Sequence, residues 1–274
     1  MSARSVLRYV LRQTHPERRR PGWWDLSELA LVALGFLAYF LVRGAVVDRA
    51  PDALANSRAI VALQASLGVW VEPRIQALAM TMQPLVRGMN FVYFWLDFPL
   101  IVALGLLLFW KGREHYTLLR DALLISGGMA LACYYTFPVA PPRYLLEYGF
   151  VDTLARYDNL SYQAQSMKPF VNPYAAVPSL HVGWAALVGA TAFHASRQWW
   201  LRGAGVALVA LQAAAVVVTG NHFLFDSVVG LMVCAPAWWL ALRLQTNGYP
   251  RLRGWLLRFE HPPRGRRAAP EGAG

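Results

Sequence analysis

Long apolar segments separated by short polar ones dominate the chain and predict an all-α integral membrane protein. About 20 apolar residues suffice for a helix to cross the hydrocarbon core of a bilayer, which is about 30 Å thick. Six segments of this kind predict a six-transmembrane-helix bundle: 27–47, 89–110, 119–137, 178–196, 199–219 and 222–243. We therefore expect one membrane domain at 26–246, between a basic N-terminal segment (1–25) and a basic, partly disordered tail (247–274).

Two intervening segments have a different pattern. In 48–88, apolar residues recur at helical spacing between Arg58, Glu72 and Arg74. This predicts amphipathic helices that lie in the membrane interface. Segment 138–177 is rich in Pro, Tyr, Asp and Asn and predicts a long loop.

The charge distribution predicts the orientation. The 274 residues are 57% hydrophobic and 15% charged, with a net charge of +11. Of the 26 lysines and arginines, 18 fall on the side that holds both ends of a six-span bundle. The positive-inside rule therefore places both termini in the cytoplasm, where the basic residues would contact anionic lipid headgroups. Because the basic residues flank the spans, this charge does not indicate a nucleic-acid partner.

Three polar motifs converge at the outer face in this topology. The third span ends in FPVAPPRY (137–144), and the fourth begins with PSLH (178–181). The turn between the fifth and sixth spans carries TGNH (219–222), followed by Asp226. The topology rests on charge alone, so this convergence independently predicts a shared site.

The histidines of these motifs are candidate catalytic residues. His222 and Asp226 lie four residues apart and share one helix face. A carboxylate that binds one ring nitrogen leaves the other free as a base or nucleophile. His181 lies at a helix N-terminus, which favours an anion, and Ser179 could cap that helix or donate to a ligand. The alternative interpretations are a polar pair at a helix end and an interfacial histidine.

Phosphate ligands and pocket residues are also predicted. Arg143 follows two prolines that stiffen the backbone, and a guanidinium suits bidentate binding of phosphate; the alternative is an arginine that reaches lipid headgroups. Asp97 is an acid inside an apolar span, and its role is open. Further candidate phosphate ligands are Asn221 and Lys168, and the candidate pocket residues are Tyr135, Tyr144, Tyr174 and Asn90.

This residue set indicates phosphoryl chemistry without a metal or other cofactor. The sequence offers no carboxylate cluster for Mg²⁺ and no ligand spacing typical of zinc. We expect His222, oriented by Asp226, to attack phosphorus and form a phosphohistidine. His181 would protonate the leaving oxygen and then activate the incoming water or alcohol.

PSLH, followed by GNHFLFD on a later helix, resembles the type 2 phosphatidic acid phosphatase superfamily. The resemblance implies a six-helix membrane core, with His222 as nucleophile, Asp226 as its partner and His181 as acid/base. Two departures stand out: FPVAPPRY lacks the lysine of the usual first motif, and Val216 replaces the arginine six residues before the third-motif histidine. FPVAPPRY resembles the branch that contains inositol phosphorylceramide synthases.

The resemblance favours transfer of an inositol-phosphate type headgroup from a membrane lipid to a polyol or inositol acceptor. Fewer cations suit a phosphodiester better than a phosphomonoester, which carries about two charges. The alternative is a simple hydrolase of phosphatidate or a polyprenyl (pyro)phosphate, and a further alternative is a lipid transporter without catalysis. The expected location is a bacterial plasma membrane, with the active site on the extracytoplasmic side.

Overall fold

The computed structural model describes residues 23–45, 49–157 and 172–260. Within these ranges the protein is helical and has no β-strand; Val139 and Ala175 form an isolated parallel β-bridge. Nearly all of the predicted basic N-terminal segment lies outside the described residues, as do Lys168 and the end of the tail from residue 261.

The described ranges contain eleven α-helices, which we number in chain order. They are α1 (Trp23–Ala45), α2 (Ala50–Ser66), α3 (Glu72–Met80), α4 (Gln83–Trp95), α5 (Phe98–Lys111), α6 (Arg113–Thr136), α7 (Thr153–Tyr157), α8 (Leu180–Ala195), α9 (Trp199–Val218), α10 (Leu224–Arg243) and α11 (Tyr249–Glu260). Two short 3₁₀ turns lie in the loop after α6, at Pro142–Tyr144 and Leu146–Tyr148.

The number of helices that could span a membrane is smaller than predicted. Among the described residues, α6, α9 and the continuous helix Leu224–Arg258 are long and apolar enough. The bent pair α4–α5 raises the number to four if it counts as one span. Six spans are therefore not confirmed, because α8 has only 16 residues and the apolar part of α1 is Leu26–Val42. The orientation of the termini stays a prediction.

The predicted second span is broken. Instead of one helix over 89–110, α4 ends at Trp95 and α5 begins at Phe98, with a bend of 45° between them. Pro99 stands in the first turn of α5, where its missing N–H costs nothing but where it cannot continue the preceding helix. The break places Asp97 at the N-cap of α5, where its backbone oxygen accepts the N–H of Ile101 at 3.0 Å.

Helix α8 is the centre of the bundle. It packs against α6, α9 and α10, and most of its side chains are buried. Glycines allow its close approach to α10: a β-carbon on Gly230 would lie 2.2 Å from the backbone oxygen of Ser179, and one on Gly183 would lie 2.6 Å from Sγ of Cys234. Helix α8, which carries His181, and helix α10, which follows directly after His222, are therefore held at backbone contact.

The segment predicted to form amphipathic helices contains α2 and α3, which bury several polar side chains as well as apolar ones. Ser57, Gln64, Glu72 and Gln76 are all buried. Apolar side chains on the same helices are exposed: Leu63, Leu67, Ile75 and Leu78. Exposed apolar side chains are expected of helices that contact lipid, and the location of these helices in the interface stays a prediction.

The buried polar face of α2 and α3 holds the loop that carries the site. Oγ of Ser57 donates to the backbone oxygen of Ala140 at 2.8 Å, and Nδ2 of Asn56 donates to that of Pro138 at 2.9 Å. Nε2 of Gln76 donates to the backbone oxygen of Val218, at 3.0 Å. The segment therefore positions both FPVAPPRY and the end of α9.

An ion cluster joins α1, α6 and α11 at the other end of the bundle. Glu28 is buried and contacts the guanidinium groups of Arg113 and Arg120. Arg120 also binds Asp121 at 2.7 Å, and the hydroxyl of Tyr249 donates to Asp121 at 2.6 Å. The first part of the predicted tail is therefore an ordered helix that packs on the bundle.

Candidate active site

His222 lies in a tight turn between α9 and α10. Gly220 has a φ of +68°, a left-handed conformation that glycine adopts readily. A β-carbon there would also lie 2.8 Å from Nε2 of Gln76. The backbone N–H of His222 donates to the oxygen of Val216 at 3.1 Å and closes the turn. Gly220 therefore allows the tight turn that ends α9 and places His222 just after it.

The surroundings of His222 determine which ring nitrogen carries the proton. Nδ1 lies 2.8 Å from the backbone oxygen of Ala176 and 3.3 Å from Oδ2 of Asp226. Both partners are acceptors, so Nδ1 is the donor, and Nε2 keeps its lone pair in the neutral ring. Asp226 is fully buried and also accepts the backbone N–H of Phe223 at 2.9 Å. The predicted pairing of His222 with Asp226 is therefore present in the structure.

His181 faces His222 from the first turn of α8. The centroids of the two imidazole rings are 5.7 Å apart. The His181 ring stacks on Tyr93 of α4, with 4.1 Å between centroids and an interplanar angle of 20°. Its Nδ1 lies 3.0 Å from Oδ2 of Asp97, at the break between α4 and α5. Two histidines from separate helices thus meet, each with a carboxylate beside its Nδ1.

Arg143 is fixed beside the histidines by the same turn. Its backbone N–H donates to the oxygen of Gly220 at 2.9 Å, and its guanidinium contacts Oδ1 of Asn221. Nε lies 3.4 Å from Oδ2 of Asp152, and the guanidinium carbon lies 5.1 Å from the centre of the Tyr144 ring. These contacts hold one edge of the planar group and leave the remaining N–H donors for a ligand.

A cavity of about 470 Å³ joins these groups. One part of its wall is polar and contains Arg143, His181, His222, Asp97 and Asn172. The rest is mainly apolar and comes from five helices and the loop before α8: Leu37, Tyr39 and Phe40 of α1, Tyr93 and Phe94 of α4, Phe98 and Pro99 of α5, Tyr134 of α6, Leu180 and Trp184 of α8, and Ala175. The chamber can therefore hold an anionic group against an arginine and two histidines, with hydrocarbon along the remaining wall.

Two predicted phosphate ligands have other contacts. Asn221 is buried; its Oδ1 accepts from Arg143 and its Nδ2 donates to Oγ1 of Thr219 at 2.8 Å. It therefore orients the arginine. Ser179 does not cap α8 with its side chain: its backbone N–H donates to the oxygen of Asp226 at 3.0 Å, and its buried Oγ has no hydrogen-bond partner among the described residues.

The four predicted pocket residues are not part of the cavity wall that the described residues form. Asn90 is buried and exchanges two hydrogen bonds with Thr153, which joins α4 to α7. Tyr135 is 67% exposed, because α6 turns that side chain outward. Tyr144 packs under Arg143, and its ring centre is 6.3 Å from that of Tyr174. These residues support the site from behind or lie away from it.

Sequence reasoning missed several residues of the wall. Tyr93 and Trp184 lie in apolar segments whose pattern does not distinguish a cavity from a packed core. The same holds for Tyr39 and Phe40 of α1. Asp97 did carry a signal, since acids inside apolar spans are rare and usually functional. No cluster of three or more His, Cys, Asp or Glu side chains suited to a metal occurs in the part of the chain that the structure describes.

Comparison with known proteins identifies the family. The family model described as PAP2 superfamily matches residues 58–240. The chain belongs to the PAP2 superfamily. This confirms the resemblance drawn from PSLH and GNHFLFD. All the polar residues of the cavity lie within the matched range, whereas α1, which lines the apolar wall, lies before it.

A curated relative indicates the branch within the PAP2 superfamily. The chain is 27% identical over 176 residues to a protein of Bacteroides thetaiotaomicron named phosphoinositol dihydroceramide synthase. The alignment covers 59% of this chain and 56% of the relative, so the chain spans little more than half of the relative's length. No solved structure matches the chain.

Proposed function

We propose that this PAP2 protein transfers a phosphorylated headgroup between membrane lipids through a phosphohistidine on His222. One observation carries the proposal: His222 and His181 face the same cavity beside Arg143, and Asp226 fixes the tautomer of His222. The arrangement supplies a nucleophile, an acid/base and a phosphate ligand on three different elements of the bundle. These are the groups that in-line displacement at phosphorus requires.

The first half-reaction forms the phosphohistidine. Nε2 of His222 attacks phosphorus, and the bond from phosphorus to the oxygen of the lipid alcohol breaks. His181 donates a proton from Nε2 to that oxygen, so the alcohol leaves neutral. Asp226 accepts the Nδ1–H of His222 and offsets the positive charge that the ring acquires.

The second half-reaction regenerates the enzyme. An acceptor hydroxyl gives its proton to Nε2 of His181, and its oxygen attacks the phosphorus of the phosphohistidine. The bond from phosphorus to Nε2 of His222 breaks, and both histidines return to their starting protonation states. Transfer and hydrolysis differ only in whether the acceptor is an alcohol or water, so the shape and polarity of the cavity decide between them.

The charge of the cavity favours a phosphodiester. Among the described residues of the cavity wall, Arg143 is the one arginine or lysine side chain, and Asp97 contributes a carboxylate. Val216, which replaces the arginine of the usual third motif, is fully buried. A phosphodiester carries one negative charge, which a single guanidinium can balance. A phosphomonoester carries about two negative charges near neutral pH, which a single guanidinium balances less well.

The apolar wall favours a lipid as the donor. Aromatic and aliphatic side chains of α1, α4, α5 and α8 line the cavity next to its polar residues. The hydrocarbon chain of a lipid whose phosphate binds Arg143 could therefore stay inside the cavity. The named product of the relative joins a phosphoinositol group to dihydroceramide. By analogy we propose phosphoinositol as the transferred group and a lipid alcohol, a polyol or free inositol as the acceptor.

The alternative activity is hydrolysis of phosphatidate or a polyprenyl (pyro)phosphate, for which the family membership is the supporting observation. We further propose that the protein acts in a bacterial plasma membrane with the cavity on the extracytoplasmic side. Arg251, Arg253 and Arg258 of α11 would then contact anionic headgroups at the cytoplasmic face.

Isotope transfer tests the proposal directly. Purified protein in vesicles is given phosphatidylinositol labelled at phosphorus, with ceramide, inositol or no added acceptor. The expected result is label in a new phosphodiester lipid, acid-labile label on the wild-type protein, and neither in His222→Ala. Release of free phosphate from phosphatidate in water alone would instead support the hydrolase.

A matched histidine substitution provides the control. His194 also lies on α8, but it is not a residue of the cavity wall. His194→Ala should keep transfer within about threefold of wild type, as substitutions away from a reacting centre usually do. Normal turnover by His222→Ala with any lipid phosphate would contradict the mechanism.

A further inference from the structure

Asp97 is a carboxylate of the cavity wall that the steps above do not use. It stands at the break between α4 and α5, 3.0 Å from Nδ1 of His181, and its side chain is only 13% exposed. We propose that Asp97 is the positioning residue of His181, which makes the site a pair of carboxylate–histidine units instead of one. This inference rests on the proposed function, in which His181 is the acid/base.

The two units match in chemistry although they are built differently. Asp226, in the first turn of α10, reaches back to His222 in the preceding turn, at 3.3 Å. Asp97 reaches His181 from a separate element that contacts the start of α8. In both cases the carboxylate lies at Nδ1, which leaves Nε2 as the reacting nitrogen. The ring centroids are 5.7 Å apart, so one phosphorus and its leaving oxygen could lie between the two Nε2 atoms.

The break between α4 and α5 places Asp97 beside His181. A straight helix over 83–111 would keep the backbone around residue 97 inside its hydrogen-bond ladder. Pro99 prevents this, and the 45° bend turns the segment toward α8. Carboxylates inside apolar spans are expensive and are seldom kept without a role. Tyr93, one turn earlier on α4, stacks on the same imidazole, so a single segment both packs on the His181 ring and places a carboxylate beside its Nδ1.

The role of Asp97 follows the proton on His181. In the first half-reaction, Nδ1–H donates to Asp97 while Nε2–H is delivered to the leaving oxygen. In the second, Nε2 takes the proton of the acceptor hydroxyl, and the carboxylate offsets the charge of the imidazolium that forms. Removal of the carboxylate should therefore impair steps that need proton transfer and spare steps that do not.

Leaving-group dependence distinguishes this role from a structural one. Two phosphodiesters with the same transferred group are compared, one with an alkyl alcohol as leaving group and one with p-nitrophenol, whose anion leaves without a proton. For Asp97→Asn we expect single-turnover cleavage of the alkyl ester to fall about 10²- to 10⁴-fold. Cleavage of the nitrophenyl ester should fall less than about tenfold. Equal loss with both esters would overturn the proposal.

Two further variants sharpen this test. Asp97→Glu keeps the charge and should recover part of the rate with the alkyl ester. Asp121→Asn removes another buried carboxylate, from the ion cluster at the opposite end of α6. It should leave the ratio of the two rates unchanged even if it lowers the amount of folded protein. If Asp121→Asn also changed the ratio of the two cleavage rates, the ratio would respond to loss of any buried carboxylate, which would count against a specific role for Asp97.

A spectroscopic readout separates this inference from the proposed function. In protein labelled with ¹⁵N-histidine, the nitrogen shifts of His181, assigned with His181→Gln, report which ring nitrogen carries the proton. At a pH high enough to neutralise the ring, the wild-type His181 should carry its remaining proton at Nδ1, and Asp97→Asn should redistribute that proton toward Nε2. If the wild type cleaves neither ester, the proposed function fails while this measurement still decides on Asp97. An unchanged tautomer in Asp97→Asn would overturn the inference even in a fully active enzyme.

Discussion

The two ends of the bundle each bury several charges, and the comparison between them separates structure from function. In the ion cluster, Glu28, Arg113, Arg120, Asp121 and Tyr249 contact one another. At the other end, His181, His222 and Arg143 face a cavity of about 470 Å³. Helix α6 connects the two ends; at 1.5 Å per residue its 24 residues extend roughly 36 Å.

The difference lies in what the charges face. Acids and arginines within the ion cluster pair mainly with each other, so the cluster joins α1, α6 and α11. The two histidines and Arg143 contact Asp226, Asp97 and Asn221, and all three also line the cavity. A buried charged group therefore does not by itself indicate a ligand-binding site in this bundle. A buried charged group that also lines a cavity does.

The largest effect is expected from Asp226→Asn. The amide cannot fix the Nδ1–H tautomer of His222 as a carboxylate does, although its shape is retained. We expect kcat for headgroup transfer to fall by about 10⁴-fold with little change in the melting temperature. A loss of less than about tenfold in transfer kinetics would contradict the role assigned to Asp226.

The same kind of change at the ion cluster should affect stability instead. Glu28→Gln leaves Arg113 and Arg120 without their shared carboxylate. Breaking a buried ion pair costs about 3–5 kcal/mol, so heat inactivation in detergent should occur at a clearly lower temperature. Transfer per folded molecule should match wild type. A fall in kcat without loss of thermal stability would show that the two ends are coupled.

The glycine contact between α8 and α10 should give an intermediate effect. A β-carbon on Gly230 would lie 2.2 Å from the backbone oxygen of Ser179, so Gly230→Ala must move α8 away from α10. Overpacking costs about 1–3 kcal/mol, and the shift should also lower kcat because it separates the histidines. Gly203→Ala on α9 is the control, since nothing lies within 4 Å of the added carbon. Equal behaviour of the two variants would argue against the contact.

The smallest effect is expected from Arg143→Lys. The charge remains, but the planar fork that contacts Asn221 and binds phosphate bidentately is lost. We expect kcat/KM for the phosphodiester to fall about tenfold, the equivalent of one weakened charge-assisted hydrogen bond. Arg58→Lys, at an exposed salt bridge with Glu147, should have no measurable effect on transfer kinetics.

The sequence predicted which histidines and arginine meet at one cavity better than it predicted the bundle around them. PSLH and GNHFLFD each lie within one short segment, so the four-residue spacing was enough to place His222 beside Asp226, although His222 precedes the first turn of α10 in the structure. The convergence of Arg143 with both histidines also follows from the order of the apolar segments. These predictions needed no knowledge of side-chain packing.

Other features depended on contacts between segments distant in the chain. Hydropathy counts apolar residues and could not show that Pro99 and Asp97 break one span into two helices. Asn90 and Tyr135 were predicted to line the pocket because of their position near a span end, but helix rotation decides which way a side chain points. Asn90 faces Thr153 and Tyr135 faces outward, and neither orientation can be read from the pattern of apolar and polar residues.

The position of α1 bears on how relatives of this protein are compared. Residues 58–240 define the family match, yet Leu37, Tyr39 and Phe40 of α1 border the same chamber as the histidines. A classification built on the family region alone groups such proteins by their phosphate chemistry. In this protein, part of the apolar wall of the chamber comes from a helix that lies before that region, so the family region alone does not describe the whole chamber.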